Sequence, residues 1–322
     1  MNLLPSKEDL QTGAEVVYRH MDPTAQICWP LLSNRLGAEV WVKHENHAPT
    51  GAFKVRGGLT YMARLKADQP SCRGVMAATR GNHGQSVALA AAKSGLSATI
   101  LVPHGNNPEK NAAMMAYGAE LIEHGTDFEE ARLFAIEMAK EKGLHMVPSF
   151  SPWLLQGVGS YGLELFNAVP DLDTVYVPIG QGSGICSVMA ARDALGAKAD
   201  VVGVVAENAA SYALSFEAKK PVSTNSAHTL ADGMACRVPD VAALELILAG
   251  VDRVVTLTED EILDAMSIYF TDTHNASEGA GAAPLAGLIK EQAKMQGKKV
   301  GLILSGGNAD RELFAKALAR TH

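Results

Sequence analysis

The stretch VMAATRGNHGQSVALAAAKSGLSATILVP, residues 75 to 103, decides the fold of this chain. It consists of an apolar run, a glycine-rich turn, an alanine-rich segment and a second apolar run, a succession typical of a strand, a helix and a strand. Two strands joined through a helix lie parallel in one sheet. The stretch therefore predicts a parallel sheet that is covered by helices.

The same alternation continues along the chain. The predicted strands are Val75 to Thr79, Ala98 to Pro103, Leu144 to Pro148, Thr174 to Ile179, Val201 to Ala206, Arg253 to Leu257 and Val300 to Leu304. The predicted helices are Gly84 to Ser94, Pro108 to Tyr117, Asp127 to Glu141, Gly184 to Leu195, Glu259 to Phe270, Ala282 to Gln296 and Asp310 to Arg320. We therefore expect an α/β protein with two doubly wound open-sheet domains of mostly parallel strands.

Two segments outside this alternation carry information of their own. The stretch PSFSPWLL, Pro148 to Leu155, contains aromatic residues and prolines, and we expect the chain to cross between the two domains there. The stretch from Lys219 to Pro239 has no clear periodicity, and we expect an ordered functional loop.

Composition excludes several classes of protein. The 322 residues carry a net charge of -7, so the chain has no basic field for a nucleic acid. The four cysteines form no CxxC pair, which argues against a disulfide framework or a zinc site. Charges interrupt the N-terminal segment, and no apolar run approaches the length of a membrane span. We expect a cytoplasmic protein without membrane or nucleic-acid partners.

Two glycine-rich motifs in the first third of the chain could carry chemistry. In PTGAFKVRGG, Lys54 follows Phe53 and opens a helix-like stretch, where the helix dipole and a nearby arginine would favour a neutral amine. The alternative is a solvated surface lysine. In TRGNHG, Thr79 to Gly84, backbone amides could hold a carboxylate while Asn82 and His83 donate to another acceptor. The alternative is a helix cap and a partly exposed turn residue.

Two further motifs follow later strands. GQGSG, Gly180 to Gly184, offers glycine amides and the Ser183 hydroxyl to an anion, and it fits a single phosphate better than a dinucleotide. The alternative is a tight strand-to-helix turn. In LSGGN, Leu304 to Asn308, Ser305 could bond a heteroaromatic nitrogen, or it could cap the last helix. Open α/β sheets bind ligands where such motifs gather.

Together the four motifs resemble fold type II of the pyridoxal-5′-phosphate (PLP) enzymes, most closely the branch of threonine and serine dehydratases and serine racemases. The match in order and spacing runs from about Pro30 to Asn308. The resemblance implies PLP as the cofactor and a large domain, 1–66 and 152–322, interrupted by a small mobile domain, 67–151, that carries the asparagine loop. We also expect a homodimer.

The resemblance assigns roles to individual positions. Lys54 matches the lysine that holds PLP as a Schiff base and then removes the Cα proton. Ser305 matches the serine that faces the pyridine nitrogen, and Asn82 the asparagine that bonds the ring hydroxyl. The other cofactor-binding positions are Phe53, Gly180, Gln181, Gly182, Ser183, Gly184 and Glu278, and the substrate-binding positions are Thr79, Arg80, Gly81, Asn82 and His83.

Three positions depart from the family pattern. The phosphate loop reads GQGSGI, residues 180–185, where most relatives have four glycines and a large apolar residue. Glu207 matches a metal-binding glutamate, but Ala213 replaces its aspartate partner, so we expect no metal ion. Arg80 stands where racemases place the serine that reprotonates the opposite face of the substrate.

The implied activity is that of an ammonia-lyase, which converts a small β-hydroxy amino acid such as L-threonine or L-serine into a 2-oxo acid and ammonia by α,β-elimination. The nearest alternative is a racemase, for which a permanently protonated arginine is a poor proton donor. Threo-3-hydroxyaspartate, a phenylserine-like compound or an amino acid from hydroxyectoine breakdown stay open as substrates. A sensor that binds PLP, a nucleotide or another phosphate ligand without turnover is the non-enzymatic alternative.

Overall fold

The computed structural model describes residues 4–321, and its strands form two open sheets. The strands are β1 (Gln26–Cys28), β2 (Glu39–His44), β3 (Gly74–Ala78), β4 (Ser97–Val102), β5 (Glu120–Glu123), β6 (His145–Met146), β7 (Thr174–Pro178), β8 (Asp200–Ala206), β9 (Arg253–Leu257) and β10 (Lys299–Leu304). The helices are α1 (Lys7–Tyr18), α2 (Pro30–Leu36), α3 (Lys54–Asp68), α4 (Asn82–Lys93), α5 (Pro108–Ala116), α6 (Phe128–Lys142), α7 (Pro152–Ala168), α8 (Ser183–Leu195), α9 (Ser211–Ala218), α10 (Val241–Gly250), α11 (Glu259–Thr273), α12 (Gly279–Lys290), α13 (Gln292–Met295) and α14 (Arg311–Leu318).

The two sheets are built from different parts of the chain. The larger sheet has the strand order β1-β2-β10-β7-β8-β9, and the smaller has the order β5-β4-β3-β6. Only β1 pairs antiparallel, with β2, among the pairings of the described strands. The predicted α/β class with mostly parallel open sheets is therefore confirmed.

Helices cover both faces of the larger sheet. Along β7, Val175 and Val177 belong to an apolar cluster with α7 and α8, while Tyr176 belongs to a second cluster with α11 and α12. This alternation follows from the two-residue period of a strand. No helix within residues 4–321 has the length and apolar character of a membrane span.

Two predicted elements differ from the structure. The strand predicted from Leu144 to Pro148 is reduced to the two residues of β6. The single helix predicted from Ala282 to Gln296 is wrong, because α12 ends at Lys290 and α13 begins at Gln292. The residue at the break is Glu291, which turns its carboxylate inward to Arg253 and to the Tyr176 hydroxyl.

The connection between the sheets is short. After β6 the chain runs through residues 147–151 and enters α7 at Pro152, within the stretch where we expected the crossing. Helix α7 packs on α3 and on α8. Because α3 begins at Lys54 and α8 begins at Ser183, this packing brings two predicted site residues to one place.

Candidate active site

A cleft of about 970 Å³, including the solvent at its mouth, lies between the two sheets. Strands β3, β7 and β10 all end at this cleft, as parallel strands bring their carboxyl ends to one edge. All predicted site residues line it: Phe53, Lys54, Thr79, Arg80, Gly81, Asn82, His83, Gly180, Gln181, Gly182, Ser183, Gly184, Glu278 and Ser305. The four motifs, which are far apart in the sequence, therefore share one site.

Lys54 lies in the cleft and not on an outer surface. Its Nζ is 3.4 Å from the Ser183 Oγ and 4.7 Å from the centre of the Phe53 ring. Burial lowers the pKa of Lys54 to about 8, and the Glu278 carboxylate opposes the shift. We had expected a nearby arginine to favour the neutral amine, and this attribution is wrong because desolvation is the main cause.

The arginine in question, Arg56, is buried in a separate ion-pair network. Its Nε donates to Glu45 Oε2 at 2.7 Å, and its Nη1 donates to Glu164 Oε1 at 2.6 Å. Lys43 Nζ donates to Glu164 Oε2 at 2.5 Å. Two carboxylates thus balance two cations, and the network holds the first turn of α3, where Lys54 begins the helix.

The loop from Gly180 to Gly184 forms a backbone cradle at the N-terminus of α8. Gly182 has a φ of 93°, a conformation that favours glycine. At Gly180 a Cβ would lie 2.1 Å from the carbonyl oxygen of Gly233, so a side chain cannot fit there. An open cradle of amides at a helix N-terminus suits a phosphate group. The loop is therefore both a tight turn and a candidate anion site.

Asn82 contacts two residues, Glu278 and Asn308, from the part of the chain that builds the larger sheet. Its Nδ2 donates to Glu278 Oε1 at 2.7 Å, and its Oδ1 accepts from Asn308 Nδ2 at 2.8 Å. The residue at the cap position of α4 is Gly81, and the Asn82 side chain caps nothing, so the alternative role of a helix cap is wrong. Burial raises the pKa of Glu278, and Lys110 and the Asn82 amide oppose this shift.

His83 is buried, contrary to the alternative of a partly exposed turn residue. Burial lowers the pKa of His83 to about 3, with a further contribution from Lys54, so the ring is neutral at physiological pH. The ring bonds to the backbone of Val147, and its Nε2 has no partner among residues 4–321.

Ser305 follows β10 and lies beside the lysine. Its backbone oxygen accepts from the Phe53 N–H at 3.0 Å. The cap of α14 is Asp310, which accepts from the Leu313 N–H, so the alternative role of Ser305 as a helix cap is wrong. Ser305 is a buried residue that lines the cleft.

Two charged residues at the cleft, Lys110 and Asp232, were not among the predicted site residues. Lys110, on the first turn of α5, donates to Asp232 Oδ2 at 2.5 Å. Arg80 Nη2 lies 3.4 Å from Asp232 Oδ1. Asp232 belongs to the stretch predicted as an ordered functional loop, whereas nothing near Lys110 in the sequence marks it as a site residue.

No group of three or more histidine, cysteine, aspartate or glutamate side chains suited to a metal ion is found in the described part of the chain. Glu207 lies in a short 3-10 helix after β8, and Ala213 lies in α9.

The fold and the cleft define a class of protein. An α/β protein whose cleft is lined by a lysine of lowered pKa, an amide cradle for one phosphate and the residue Ser305 has the groups that a phosphorylated pyridine aldehyde requires. These residues fit PLP.

The comparisons agree, and the chain belongs to the family of pyridoxal-phosphate dependent enzymes, whose sequence profile matches residues 17–306. An L-threonine ammonia-lyase of Thermotoga maritima is 36% identical over 97% of this chain and 77% of its own length. The processed threonine deaminase isoform 2 of Solanum lycopersicum superposes with a TM-score of 0.90 and 27% identity, covering 100% of this chain and 96% of that one. Maize serine racemase superposes with a TM-score of 0.91 and 26% identity, covering 98% of this chain and 97% of that one. The predicted family, cofactor and fold are confirmed.

Proposed function

We propose that this chain is a PLP-dependent ammonia-lyase that dehydrates a β-hydroxy amino acid such as L-threonine or L-serine. The observation that carries the proposal is the position of Lys54 Nζ, which lies in the cleft beside Ser183 and has a pKa lowered to about 8. The similarity to an L-threonine ammonia-lyase over nearly the whole chain supports the same activity.

We assign the cofactor contacts residue by residue. Lys54 would hold PLP covalently through Nζ, and the amides from Gly180 to Gly184 would bind the phosphate. Asn82 would bond the ring hydroxyl, and Ser305 would face the ring nitrogen as a neutral partner. Phe53 and Glu278 would lie near the ring. The contacts of Asn82 with Glu278 and Asn308 support this assignment because they fix the orientation of its amide.

The reaction requires a base at Cα. When it is bound, PLP supplies an electron sink for the pair of electrons that the proton leaves behind. The Lys54 amine, released by the incoming amino group, would take the Cα proton. A pKa of about 8 suits this role, because a base with a pKa near the working pH both accepts and returns a proton.

The start of α4 would hold the substrate carboxylate. The Gly81 N–H already donates to Thr79 Oγ1 at 3.0 Å, so Thr79 orders the loop. The amides of Asn82 and His83 lie in the first turn of α4, where N–H groups lack partners within the helix. We assign the carboxylate to these amides. The neutral, buried His83 ring adds no charge that would compete with them.

The test is the variant Lys54→Ala. We expect purified Lys54→Ala to fold and to release neither 2-oxo acid nor ammonia from L-serine or L-threonine, because cofactor anchor and base are lost together. The matched control is Lys198→Ala, an exposed lysine in a loop, which should retain full turnover. Normal 2-oxo acid release by Lys54→Ala would disprove the proposal.

Chiral chromatography of the same reactions tests the racemase alternative. We expect no D-amino acid from the wild-type protein, because an arginine side chain carries a permanent charge and is a poor proton donor for the opposite face of the substrate. D-isomer in amounts similar to the 2-oxo acid would contradict this assignment. The homodimer and the cytoplasmic setting stay predictions, as do the absence of a metal requirement and the domain boundaries.

A further inference from the structure

The mouth of the cleft carries an excess of positive charge. Arg80 and Lys110 face the single carboxylate of Asp232. The cluster of these three side chains therefore has a net charge of +1 beside the start of α4. By the resemblance, Arg80 stands where racemases place a serine, so a racemase of that pattern would not have this cation.

The two cations differ in how far their charge is satisfied. The Lys110 side chain is 10% exposed, makes a 2.5 Å contact with Asp232 and packs on Gly81, where a Cβ would lie 3.0 Å from its Cδ. The Arg80 side chain is 44% exposed, and its 3.4 Å ion pair is its only polar side-chain contact with residues 4–321. Lys110 is thus neutralised, whereas the guanidinium of Arg80 keeps most of its donors available.

We infer that Arg80 binds a second carboxylate on the substrate, which makes the substrate class the β-hydroxy amino dicarboxylates, with 3-hydroxyaspartate as the simplest member. The inference rests on the proposed lyase function. A guanidinium presents parallel N–H donors that match a carboxylate. Arg80 stands two positions before Asn82 in the loop assigned to the α-carboxylate, so one loop would hold both carboxylates.

The reaction balances with this substrate. The Cα–H and Cβ–O bonds break and one water leaves, and hydrolysis of the resulting enamine, through its imine, consumes one water and releases ammonia. One 3-hydroxyaspartate thus gives one 2-oxo dicarboxylate and one ammonia, with no oxidant or reductant. The chemistry is the one proposed above, and only the group on Cβ changes.

Other side chains on the substrate fit the cluster less well. The methyl group of threonine and the hydrogen of serine offer no partner to the guanidinium, so binding either one gains nothing from Arg80. A substrate ammonium would meet the net positive charge of the cluster and would be repelled. A carboxylate is attracted by the net charge of these three side chains.

The first experiment compares substrates across three variants. We would measure kcat and KM of wild type, Arg80→Ser and Arg80→Lys with L-serine, L-threonine and both diastereomers of L-3-hydroxyaspartate. We expect wild type to prefer one diastereomer of 3-hydroxyaspartate. In Arg80→Ser the ratio of kcat/KM for that diastereomer to kcat/KM for serine should fall about 10- to 100-fold, mainly through KM. In Arg80→Lys this ratio should fall less, because the lysine keeps the positive charge.

The matched control is Arg64→Ser, which removes an exposed arginine from α3. Its ratio of kcat/KM for 3-hydroxyaspartate to kcat/KM for serine should equal that of wild type. If Arg80→Ser lowers kcat/KM for both substrates equally, Arg80 binds the α-carboxylate and the inference is wrong. It is also wrong if Arg80→Ser behaves as wild type, or if wild type prefers serine or threonine.

A binding measurement separates this inference from the proposed function. Calorimetry with the PLP-loaded protein would compare succinate, an unreactive dicarboxylate, with butyrate. We expect wild type to bind succinate at least tenfold more tightly than butyrate and Arg80→Ser to lose that preference. A preference for succinate with no turnover of any substrate would disprove the lyase proposal alone. Equal binding of both acids would disprove the role of Arg80 alone.

Discussion

In the proposed mechanism Lys54 has to meet two requirements, since its amine must reach the glycine cradle and must lose a proton near neutral pH. The first is met by its place at the start of α3, 3.4 Å from Ser183. The second is met by desolvation, which lowers its pKa to about 8. A protonated amine in this position is unfavourable for folding, so the same property that suits catalysis reduces stability.

We predict that Lys54→Met stabilises the cofactor-free protein at pH 7 by about 1–3 kcal/mol, the lower end reflecting partial exposure to the cleft. Below pH 8 the amine is protonated in both folded and unfolded chains, and the folded state carries the full penalty. Between pH 8 and 10.5 the unfolded chain binds more protons than the folded one, so wild type gains stability as the pH rises. The advantage of methionine should therefore shrink toward pH 10.

Urea unfolding at pH 7 and pH 10 measures this difference, with Lys198→Met as the exposed control. An advantage for Lys54→Met that is equal at both values of pH would mean that packing, not charge, is responsible.

At the scale of elements, α3 is held by charge and by close packing. The buried network of Arg56, Glu45, Glu164 and Lys43 anchors its first turn. Helix α7 crosses it so closely that a Cβ at Gly157 would lie 2.2 Å from the Arg56 carbonyl oxygen. Together these contacts fix the direction in which the helix presents the Lys54 amine.

We predict that Arg56→Met lowers the free energy of unfolding by about 3–5 kcal/mol, because it leaves two buried carboxylates with Lys43 as their one cation. Chemical denaturation would measure the loss. Arg64→Met is the control, since it breaks an exposed pair with Asp68 at 3.6 Å and should cost less than about 1 kcal/mol. A loss at Arg56 no larger than at Arg64 would show that the network contributes little.

Elements with a clear apolar period were predictable from the sequence, and those that depend on distant partners were not. Strand β2 was missed because its Lys43 and His44 are polar yet buried, paired with Glu164 and with the indole of Trp29. Helix α7 was missed because glycines, which weaken a helix in isolation, are frequent in it. These glycines are needed for close crossing, which only the tertiary structure reveals.

The candidate site was predictable to a similar degree and for a related reason. Its glycine motifs are local signals, and all of their predicted residues line the cleft. Lys110 was missed because its partner Asp232 is 122 positions away and no local pattern links them. The cause of the lowered pKa of Lys54 was also missed, since burial is a property of the folded molecule. Arg56 is close to Lys54 in the sequence, but its charge is paired with Glu45 and Glu164.

At the scale of the whole molecule, side chains from the two parts of the chain that build the two sheets meet across the cleft. Lys110 and Arg80 reach Asp232, and Asn82 reaches Glu278. The carboxylates come from the part of the chain that builds the larger sheet, and their partners come from the part that builds the smaller sheet. These contacts therefore resist opening of the cleft.

We predict that Asp232→Asn increases amide hydrogen exchange in the first turn of α5 and in residues 219–239 by about tenfold, since it weakens charge-assisted contacts of about 1.5 kcal/mol or more. Exchange followed by mass spectrometry would report it. Asp68→Asn, which breaks an exposed pair within α3, should leave both segments as in wild type. Unchanged exchange in Asp232→Asn would show that the ion pairs do not restrain the cleft.

Strand β10 lies between β2 and β7, although it is the last strand in the chain. During synthesis, Lys54 leaves the ribosome about 250 residues before Ser305, which at the usual rates of translation is a delay of roughly 10 to 50 seconds. Once residue 257 has left the ribosome, the smaller sheet has all of its strands, whereas the larger one still lacks β10 and consists of two fragments, β1-β2 and β7-β8-β9, with open edges. A nascent chain therefore carries Lys54 long before the cleft is complete, and a chain halted before residue 299 lacks β10 and the part of the cleft wall that Ser305 forms.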